Sequence, residues 1–551
     1  MNFREIERTE WDYIVVGAGS AGCVVANRLS ANSAHKVLLI ESGGSDKSLY
    51  IQMPAATYVK AIGNPKFDWN FDVEPDPTTD GLPKTISRGR VMGGCSSING
   101  MIYIRGLPQD YDGWAEQGNI GWAWKDVLPV FKRQEDNQRG ASAYHGVGGP
   151  LSVSDIHELH PLAPIFIDAA KATGIPFNDD LNGPQLEGLG YAQATQRKGW
   201  RNSSARAFVD PVRSRPNLAV LTHATARRLL FSGKKVVGVE ILRRGKVAAL
   251  AVRKEVILSA GAIGSPHLLL ASGVGDRKRL ETIGVPVVAD NPAVGQYFQD
   301  HPGINMTYGI SIPTFNDEMA LWKQVLHGAN WLFRGRGPGA TPDAHVVGFI
   351  KSDPSEEMPD IQVHVTPAGY ALAGEGSELV LKESSFTIVV SVCRPKSTGS
   401  IDIRSSDPGA RPVIRHRLFE DEDDLVRLTK GVQVVRSIME AQPLKSLVTK
   451  AMDPVLHTAV GTQLKDHVRS KARDIAHPSC SVRMGVDADA ALTPELRVKG
   501  IEGVRVADAS VMPTVTSGNL NAPCMMIGDK CAEFIIQDQQ GFLQERVELG
   551  A

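Results

Sequence analysis

Three glycines near the start of the chain carry the most specific chemical signal in the sequence. Gly17, Gly19 and Gly22 have the spacing G-x-G-x-x-G. In a dinucleotide-binding turn the first glycine allows the tight turn, the second lets a pyrophosphate approach the backbone, and the third lets the helix pack close to the strand. Glu41 follows 19 residues after Gly22, where a carboxylate can bond ribose hydroxyls. An acid at this place favours an unphosphorylated ribose, so the pattern indicates FAD or NAD rather than NADP.

The flanking residues predict the elements that would hold this turn. Residues 14–16 form an apolar run typical of a buried parallel strand, and Val24, Val25 and Leu29 repeat at helical spacing. KVLLIESG, residues 36–43, predicts a second strand ending at Glu41. A phosphate would then lie at a helix N-terminus. A glycine-rich turn in an unrelated α/β domain would leave Glu41 unexplained, although the motif alone does not distinguish FAD from NAD.

Composition narrows the class of protein. The chain has 551 residues, 42% hydrophobic and 22% charged, a mixture typical of a soluble globular protein with several domains or one large composite enzyme. Its 60 Lys+Arg against 61 Asp+Glu give a net charge of −1, which argues against a nucleic-acid binder. The 54 glycines exceed the usual share of about 7%. Many of them fall in the segments discussed below.

Cysteine usage and the chain ends predict the compartment. The six cysteines show no metal-ligand spacing, so we expect buried thiols in a reducing compartment and no metal site. The first residues, MNFREIERTEWDY, contain no apolar secretory segment, and no run of 18 apolar residues occurs. We therefore expect a cytoplasmic protein without a transmembrane segment, with peripheral membrane association not excluded.

Six further sequence motifs follow one another along the chain. They are RGRVMGGCSSINGMIYIRG (88–106), GAIGSPHLLLASGVG (261–275), NPAVGQYFQDHP (291–302), CRPKSTGSIDIRSSDPGARPVI (393–414), HPSCSVRMG (477–485) and VRVADASVMPTVTSGNLNAPCMMIGDKCAEFI (504–535). In these blocks and their order the chain resembles the glucose–methanol–choline (GMC) family of flavin-dependent oxidoreductases, as a bacterial alcohol dehydrogenase- or oxidase-like member. The motifs identify the family strongly and the substrate poorly.

The resemblance implies an α/β fold with two interleaved domains. A Rossmann-like FAD-binding domain is expected over 10–157, 206–303 and 475–540. An α+β substrate domain containing a six-stranded antiparallel sheet is expected over 158–205 and 304–474. Some family members bond the flavin covalently through a histidine in the first block, where this chain has Ile98. We therefore predict non-covalent FAD.

The cofactor-binding residues combine the glycine motif with the family blocks. Gly93 and Gly94, with Ser96 and Asn99, form a loop of small residues and donors that suits backbone contact with a cofactor. The full expected set is Gly17, Gly19, Ser20, Ala21, Gly22, Glu41, Arg90, Val91, Gly93, Gly94, Ser96, Asn99, Gly100, Met101, Ala226, Ala260, Gly261, Asp508, Ala509, Asn519, Asn521 and Ala522.

The resemblance also implies a catalytic pair, since histidine alone is no evidence among 14 in the chain. His477 opens HPSCSVRMG, where the family's catalytic histidine stands, and Asn521 is matched to the second active-site position. His477 would take the proton of the alcohol while Asn521 bonds its oxygen, and hydride would pass to flavin N5. One departure concerns the Gly-Thr-Cys run that is common in this block, where this chain has Cys480, Ser481 and Val482.

The residues that would surround the substrate are less clearly indicated by the sequence than those that would bind the cofactor. Residues 360–367 and 386–392 predict strands, and 421–439 predicts an amphipathic helix whose acidic start suits the helix dipole. The aromatic side chains that could line the cavity are Trp69, Trp322, Trp331, Phe333 and Tyr370.

The function expected from this resemblance is FAD-dependent oxidation of a primary alcohol, aliphatic or aryl, to the aldehyde. The alternative is a hydroxynitrile lyase-type enzyme with a non-redox flavin. The expected partners are a small-molecule alcohol and an electron acceptor, either O₂ or a quinone- or cytochrome-type carrier. A homodimer is possible.

Overall fold

The computed structural model describes residues 3–372 and 378–548. Its α-helices, numbered in chain order, are α1 Phe3–Arg8, α2 Ser20–Leu29, α3 Leu49–Gln52, α4 Pro54–Lys60, α5 Pro108–Glu116, α6 Trp124–Gln134, α7 Leu162–Ala172, α8 Gly261–Ala271, α9 Arg277–Thr282, α10 Leu321–Arg334, α11 Glu422–Met439, α12 Pro454–Thr458, α13 Gly461–Lys471 and α14 Asn521–Glu548.

The strands form two large sheets and several short pairs. They are β1 Trp11–Val16, β2 Val37–Ile40, β3 Phe71–Val73, β4 Lys84–Ile86, β5 Glu135–Asn137, β6 Leu151–Asp155, β7 Gly188–Tyr191, β8 Gln193–Ala194, β9 Gln196–Arg197, β10 Trp200–Arg201, β11 Leu218–Leu221, β12 Ala224–Ser232, β13 Lys235–Arg243, β14 Lys246–Leu258, β15 Val274–Gly275, β16 Ala289–Asp290, β17 Pro302–Ile310, β18 Val346–Ile350, β19 Ile361–Thr366, β20 Tyr370–Leu372, β21 Glu378–Val380, β22 Ser385–Val392, β23 Ser400–Asp402, β24 Val413–Arg415, β25 Val448–Ala451, β26 Arg473–Asp474 and β27 Val504–Val506.

The first large sheet has a parallel part in the order β11-β2-β1-β14-β27. Strand β14 is long enough to take part in both parallel and antiparallel pairing. Its first half pairs antiparallel with β13, which in turn pairs antiparallel with β12. Strands β1 and β2 are buried along their whole length, as their apolar runs predict. The predicted strand–turn–helix–strand order of the dinucleotide motif is confirmed by β1, α2 and β2.

The second large sheet is antiparallel and has six strands in the order β18-β19-β22-β17-β25, with β26 also pairing with β17. The predicted strands at 360–367 and 386–392 are β19 and β22. Helix α11 packs its buried residues Leu425, Leu428, Val432, Val435 and Met439 in the core of this sheet. The side chain of Asp421 caps α11 by accepting from the Asp423 amide.

The two sheets are built from alternating segments of the chain. The first contains β27, which follows every strand of the second sheet in sequence, so the chain returns to the first sheet near its end. The mixed α/β architecture and the six-stranded antiparallel sheet confirm the predicted fold class. Strand β17 crosses the expected limit at residue 303, and the domain limits themselves stay a proposal.

Candidate active site

A cavity of about 2040 Å³ lies between the carboxyl ends of the parallel strands and the six-stranded sheet. This volume exceeds the 300–1,000 Å³ of ordinary ligand pockets, so the cavity has room for a dinucleotide and a small molecule. Among the residues expected from the sequence, those that line it are Gly17, Gly19, Ser20, Ala21, Glu41, Arg90, Gly94, Asn99, Gly100, Met101, Ala226, Ala260, Gly261, His477, Asp508, Ala509, Asn519 and Asn521.

The glycine turn has the geometry that its spacing predicts. Gly17 has φ +101°, and a Cβ there would lie 2.3 Å from the Ser259 carbonyl oxygen. A Cβ on Gly22 would lie 1.9 Å from the Gly17 carbonyl oxygen, so Gly22 allows close packing of the helix and does not line the cavity. Gly19 precedes α2 without a side-chain cap, which leaves the amides of this helix end for a ligand.

Glu41 lies directly after β2, and its carboxylate faces the same turn. Its two oxygens accept from the backbone amides of Ala18, at 3.0 Å, and Gly43, at 2.8 Å. Burial raises the pKa of Glu41 to about 7, although both amides oppose this effect. The group is therefore a buried acceptor with room for a further hydroxyl donor in the cavity.

A second glycine loop lies against the first. Gly94 has φ +52°, and a Cβ there would lie 2.8 Å from Gly19 Cα, so only glycine allows this approach. The neighbouring residues Val91, Gly93 and Ser96 do not line the cavity but shape the loop. The Gly93 amide donates to the Ala18 carbonyl at 2.7 Å. The Ser96 hydroxyl donates to the Gly93 carbonyl at 2.6 Å.

The end of β14 and the segment after β27 are joined through Asp508. Its carboxylate accepts from the Gly261 amide at 2.9 Å and from the Ser265 hydroxyl at 2.6 Å. It also accepts from the amide and hydroxyl of Ser510. Burial raises the pKa of Asp508. All these donors belong to the protein, so Asp508 acts by holding the cavity wall together.

His477 lies at one end of a hydrogen-bond chain that defines which ring nitrogen carries its proton. His301 Nε2 donates to the Thr516 carbonyl oxygen at 3.1 Å, because a carbonyl can only accept. In neutral His301 the other nitrogen, Nδ1, is then an acceptor, and it lies 3.0 Å from His477 Nδ1. His477 must therefore carry its proton on Nδ1. Its Nε2 is left as an acceptor facing the cavity, which is the state that a general base requires.

Asn519 is the residue that lies beside His477 Nε2. Asn519 Nδ2 lies 3.3 Å from His477 Nε2. Its orientation is fixed by strand β19, since Gln362 Nε2 and His364 Nε2 lie 3.2 and 3.3 Å from Asn519 Oδ1. With the oxygen occupied by two donors, the amide nitrogen of Asn519 is directed at His477 Nε2.

The structure brings Asn519, and not the expected Asn521, within hydrogen-bond distance of His477. The catalytic role expected for Asn521 stays a prediction. Asn521 Oδ1 accepts from the Ser20 hydroxyl at 2.8 Å, at the start of α2. Asn521 begins α14, which packs along α2, whereas Asn519 lies two residues earlier in the preceding loop. Ala522, the next residue of α14, is buried and does not line the cavity.

The histidines around this chain are neutral. Burial lowers the pKa of His301 to about 4 and that of His364 to about 4. The pKa of His477 is also lowered, by burial and by the neighbouring His301 and His364. Asp300 accepts from the amides of His301 and His477, both at 2.8 Å, and so fixes the two rings relative to each other.

Sequence reasoning missed His301, Gln362 and His364. A signal for the last two was present, because Ile361, Val363 and Val365 alternate with Gln362 and His364. The apolar set packs with α11, and the polar set faces Asn519 rather than solvent. No sequence pattern places His301 beside His477, because the two are 176 residues apart.

Of the five aromatic side chains named from the sequence, only some line the cavity. Trp69 and Tyr370 line the cavity. Trp331 is buried instead against Gly199, and Trp322 and Phe333 lie exposed on α10.

Cys480 stands where the sequence departs from the run that is common in its block. Its backbone adopts the left-handed conformation, with φ +66°, although the residue is not glycine. Its amide donates to the Ala509 carbonyl at 3.0 Å, and its thiol is fully buried. The segment around Cys480 is therefore still hydrogen-bonded to the cavity wall, although its sequence differs from the common one.

Comparison with known proteins places this site in a family. A sequence model described as GMC oxidoreductase matches residues 11–303, and its C-terminal counterpart matches residues 395–528. The chain belongs to the GMC oxidoreductase family. It is accordingly a flavoprotein oxidoreductase that acts on CH–OH donors.

Relatives within the GMC family are similar over nearly the whole chain. The oxygen-dependent choline dehydrogenase of Photobacterium profundum is 38% identical over 533 residues, 96% of this chain and 93% of that protein. The mitochondrial choline dehydrogenase of Mus musculus is 39% identical over 540 residues, covering 96% and 90%.

Among solved structures, pyridoxine 4-oxidase from Mesorbium loti matches with a TM-score of 0.85 and 28% identity, covering 95% of this chain and 99% of that one. Formate oxidase matches with a TM-score of 0.88 at 24% identity, covering 97% and 99%, which shows the shared fold.

The cavity fits the FAD of this family. The uncapped start of α2 suits a pyrophosphate, and Glu41 is a buried acceptor for ribose hydroxyls. Arg90 Nε is buried without a hydrogen-bond partner in a side chain that lines the cavity. Among the described residues, no group of three or more His, Cys, Asp or Glu side chains could hold a metal ion. No described helix is long and apolar enough to cross a membrane.

Proposed function

We propose that the protein oxidises a primary alcohol, aliphatic or aryl, to the aldehyde, with His477 as the base and FAD as the oxidant. The observation that carries this proposal is the hydrogen-bond chain from Thr516 through His301 to His477, which leaves His477 Nε2 as an acceptor in the cavity. A neutral, correctly oriented imidazole is what removal of an alcohol proton requires.

In this proposal the alcohol hydroxyl replaces the contact between Asn519 Nδ2 and His477 Nε2 and lies within hydrogen-bond distance of both groups. His477 takes the hydroxyl proton, and its Nδ1–H stays bonded to His301 before and after the transfer. Asn519 donates to the oxygen, on which negative charge develops as the proton leaves. Because Gln362 and His364 hold the Asn519 oxygen, this donor needs no reorientation during the reaction.

The cofactor would be held by the turn at Gly17–Ser20, by Glu41 and by the glycine loop at Gly94. Bound FAD supplies the hydride acceptor, N5 of its flavin ring. We propose that it is held without a covalent bond, since Ile98 stands in the cavity wall where some family members have a histidine. Denaturing the yellow protein with acid should release all of the flavin to the supernatant, and flavin that stayed on the chain would contradict this.

The choice of alcohol follows from what lines the cavity. The relatives named above are choline dehydrogenases, so choline is the first compound to try. The face of Trp69, however, is covered by Arg90, whose Cζ lies 4.8 Å from the ring centroid, and the ring stacks on Phe71. This aromatic pair is already occupied by a cation of the protein, which favours an uncharged aliphatic or aryl alcohol over a quaternary ammonium one.

The experiment is anaerobic mixing of the FAD-loaded enzyme with a panel of alcohols that includes choline, benzyl alcohol and straight-chain primary alcohols. Bleaching of the oxidised flavin spectrum identifies substrates. A spectrum that stays oxidised with every alcohol, together with cleavage of a cyanohydrin, would replace the proposal with a lyase. Admission of air, or of a quinone, then separates an oxidase from a dehydrogenase.

A further inference from the structure

Helix α10 turns its apolar side away from the protein. Its exposed side chains are Leu321, Trp322, Val325, Leu326, Leu332 and Phe333, with exposed fractions from 49% to 83%. At 3.6 residues per turn, all six lie in an arc of about 140°. Surface helices normally pack such a stripe against the core, so this face is built to be covered by something else.

The opposite side fixes the helix in this orientation. Trp331 is buried, and its Nε1 donates to the Gly199 carbonyl at 2.9 Å. Lys323 and His327 both bind Glu318, at 3.1 and 2.8 Å. These contacts attach the polar side of α10 to the protein, so the outward direction of the apolar side is set by specific bonds.

Basic residues follow this apolar face in the sequence. From residue 319 to 342 the sequence contains no Asp or Glu, and beside Lys323, which pairs with Glu318, it contains the exposed Arg334 and Arg336. The neighbouring segment from 47 to 67 contains three lysines, Lys47, Lys60 and Lys66, and again no acid. Such separation stands out in a chain whose positive and negative residues are otherwise balanced, at 60 and 61.

The two segments are neighbours in the structure. A Cβ on Gly328 of α10 would lie 3.9 Å from the Met53 side chain between α3 and α4. The second segment adds its own exposed apolar side chains, Leu49, Tyr50, Val59 and Ile62. We call the exposed apolar and basic residues of 47–66 and 321–336 the docking face.

We propose that the docking face binds the surface of a lipid bilayer that contains anionic lipids. A helix with a large apolar face flanked by Lys and Arg is the form that lies in a membrane interface, with cations at the headgroups. A second copy of the chain fits poorly, because a two-fold interface would bring the same cations together.

The docking face also adjoins the cavity. Val59 and Ile62 are exposed at the surface and line the cavity as well. An enzyme docked through this face would therefore open its cavity beside the membrane. Lipid-soluble molecules would reach the site directly from the bilayer.

The test is co-sedimentation of the holoenzyme with vesicles of phosphatidylcholine, with and without phosphatidylglycerol. We expect binding to the anionic vesicles that weakens as salt is added, and at least tenfold weaker binding of the Trp322→Gln/Phe333→Gln variant. The matched control is Ile120→Gln/Val460→Gln, which removes two apolar side chains elsewhere that are at least as exposed on average, and it should bind as the wild type does.

A second variant tests the charges alone. Arg334→Gln/Arg336→Gln keeps the apolar face and should bind anionic vesicles more weakly than the wild type while flavin absorbance is unchanged. Wild-type enzyme that stays in the supernatant with anionic vesicles overturns the proposal. So does a wild-type dimer that the Trp322→Gln/Phe333→Gln variant converts to a monomer, because the face would then join two copies.

Discussion

Replacing His301 tests whether this residue sets the proton position on His477. His301→Leu removes the acceptor for His477 Nδ1–H and keeps a side chain of similar volume in a site that is only 1% exposed. His301→Asn is the matched control, because its Oδ1 can take the place of Nδ1 as acceptor. The two variants differ in hydrogen bonding more than in packing.

The size of the effect follows from the bond that is lost. A buried donor without a partner costs about 1–3 kcal/mol. In His301→Leu, His477 avoids this cost by moving its proton to Nε2, where it can no longer accept from the alcohol. At 1.36 kcal/mol for each factor of ten, the productive form should fall about 5- to 150-fold. His301→Asn should keep most of the wild-type rate.

The assay is the rate of flavin reduction after anaerobic mixing with the best alcohol, measured over a range of alcohol concentrations. A tautomer change lowers the limiting rate and leaves the substrate concentration for half-maximal rate unchanged, since His477 still occupies the same place. Flavin absorbance of each variant reports that the fold is intact.

Two results would refute the reasoning. If His301→Leu reduced its flavin as fast as the wild type, the chain from Thr516 would not control His477. If His301→Asn were as slow as His301→Leu, the loss would come from disturbed packing rather than from the missing acceptor.

Four further changes test other parts of the site. His477→Ala should lower flavin reduction by about 10²–10⁴ while FAD stays bound, as a spectrum and a stopped-flow trace would show. Asn519→Ala should lower the same rate about tenfold or more, whereas Asn521→Ala should leave the rate near wild type and mainly weaken FAD retention on dialysis. Glu41→Gln should weaken FAD binding about tenfold in a titration of the apoprotein, because a neutral amide is a weaker acceptor for hydroxyl groups. Burial lowers the pKa of His364 to about 4, below its unfolded value near 6.5, so the unfolded chain binds an extra proton between these pH values. The Tm should therefore fall as the pH is lowered through this window, and His364→Asn should show a smaller fall.

Much of the fold was predictable because the local patterns and the burial agree. The apolar runs of β1 and β2, the glycine spacing at Gly17–Gly22 and the helical stripe of α11 each correspond to one element with one buried face. Helix α10 was not predictable in this way. Its stripe is as regular as that of α11, but it faces outward, and a sequence pattern does not say which side of a helix the protein covers.

Residues of the site could be predicted only where the sequence motif that contains them also indicates their role. Glu41 follows its strand as the glycine spacing requires, and His477 was identified by its block. The residue that the structure places beside His477 is Asn519, two positions before the expected Asn521, because this placement depends on where the loop ends and α14 begins. His301 and His364 come from different sequence neighbourhoods, and only the folded sheet brings them to one place.

The Ser20–Asn521 bond joins residues 501 positions apart. Strand β27 and the first turns of α14 complete walls whose other parts are made from residues near the N-terminus. When the ribosome has synthesised most of this chain, the cavity that would hold the flavin is therefore still incomplete. Capture of FAD should follow release of the last residues, and chains cut before residue 504 should remain colourless however well their earlier strands fold.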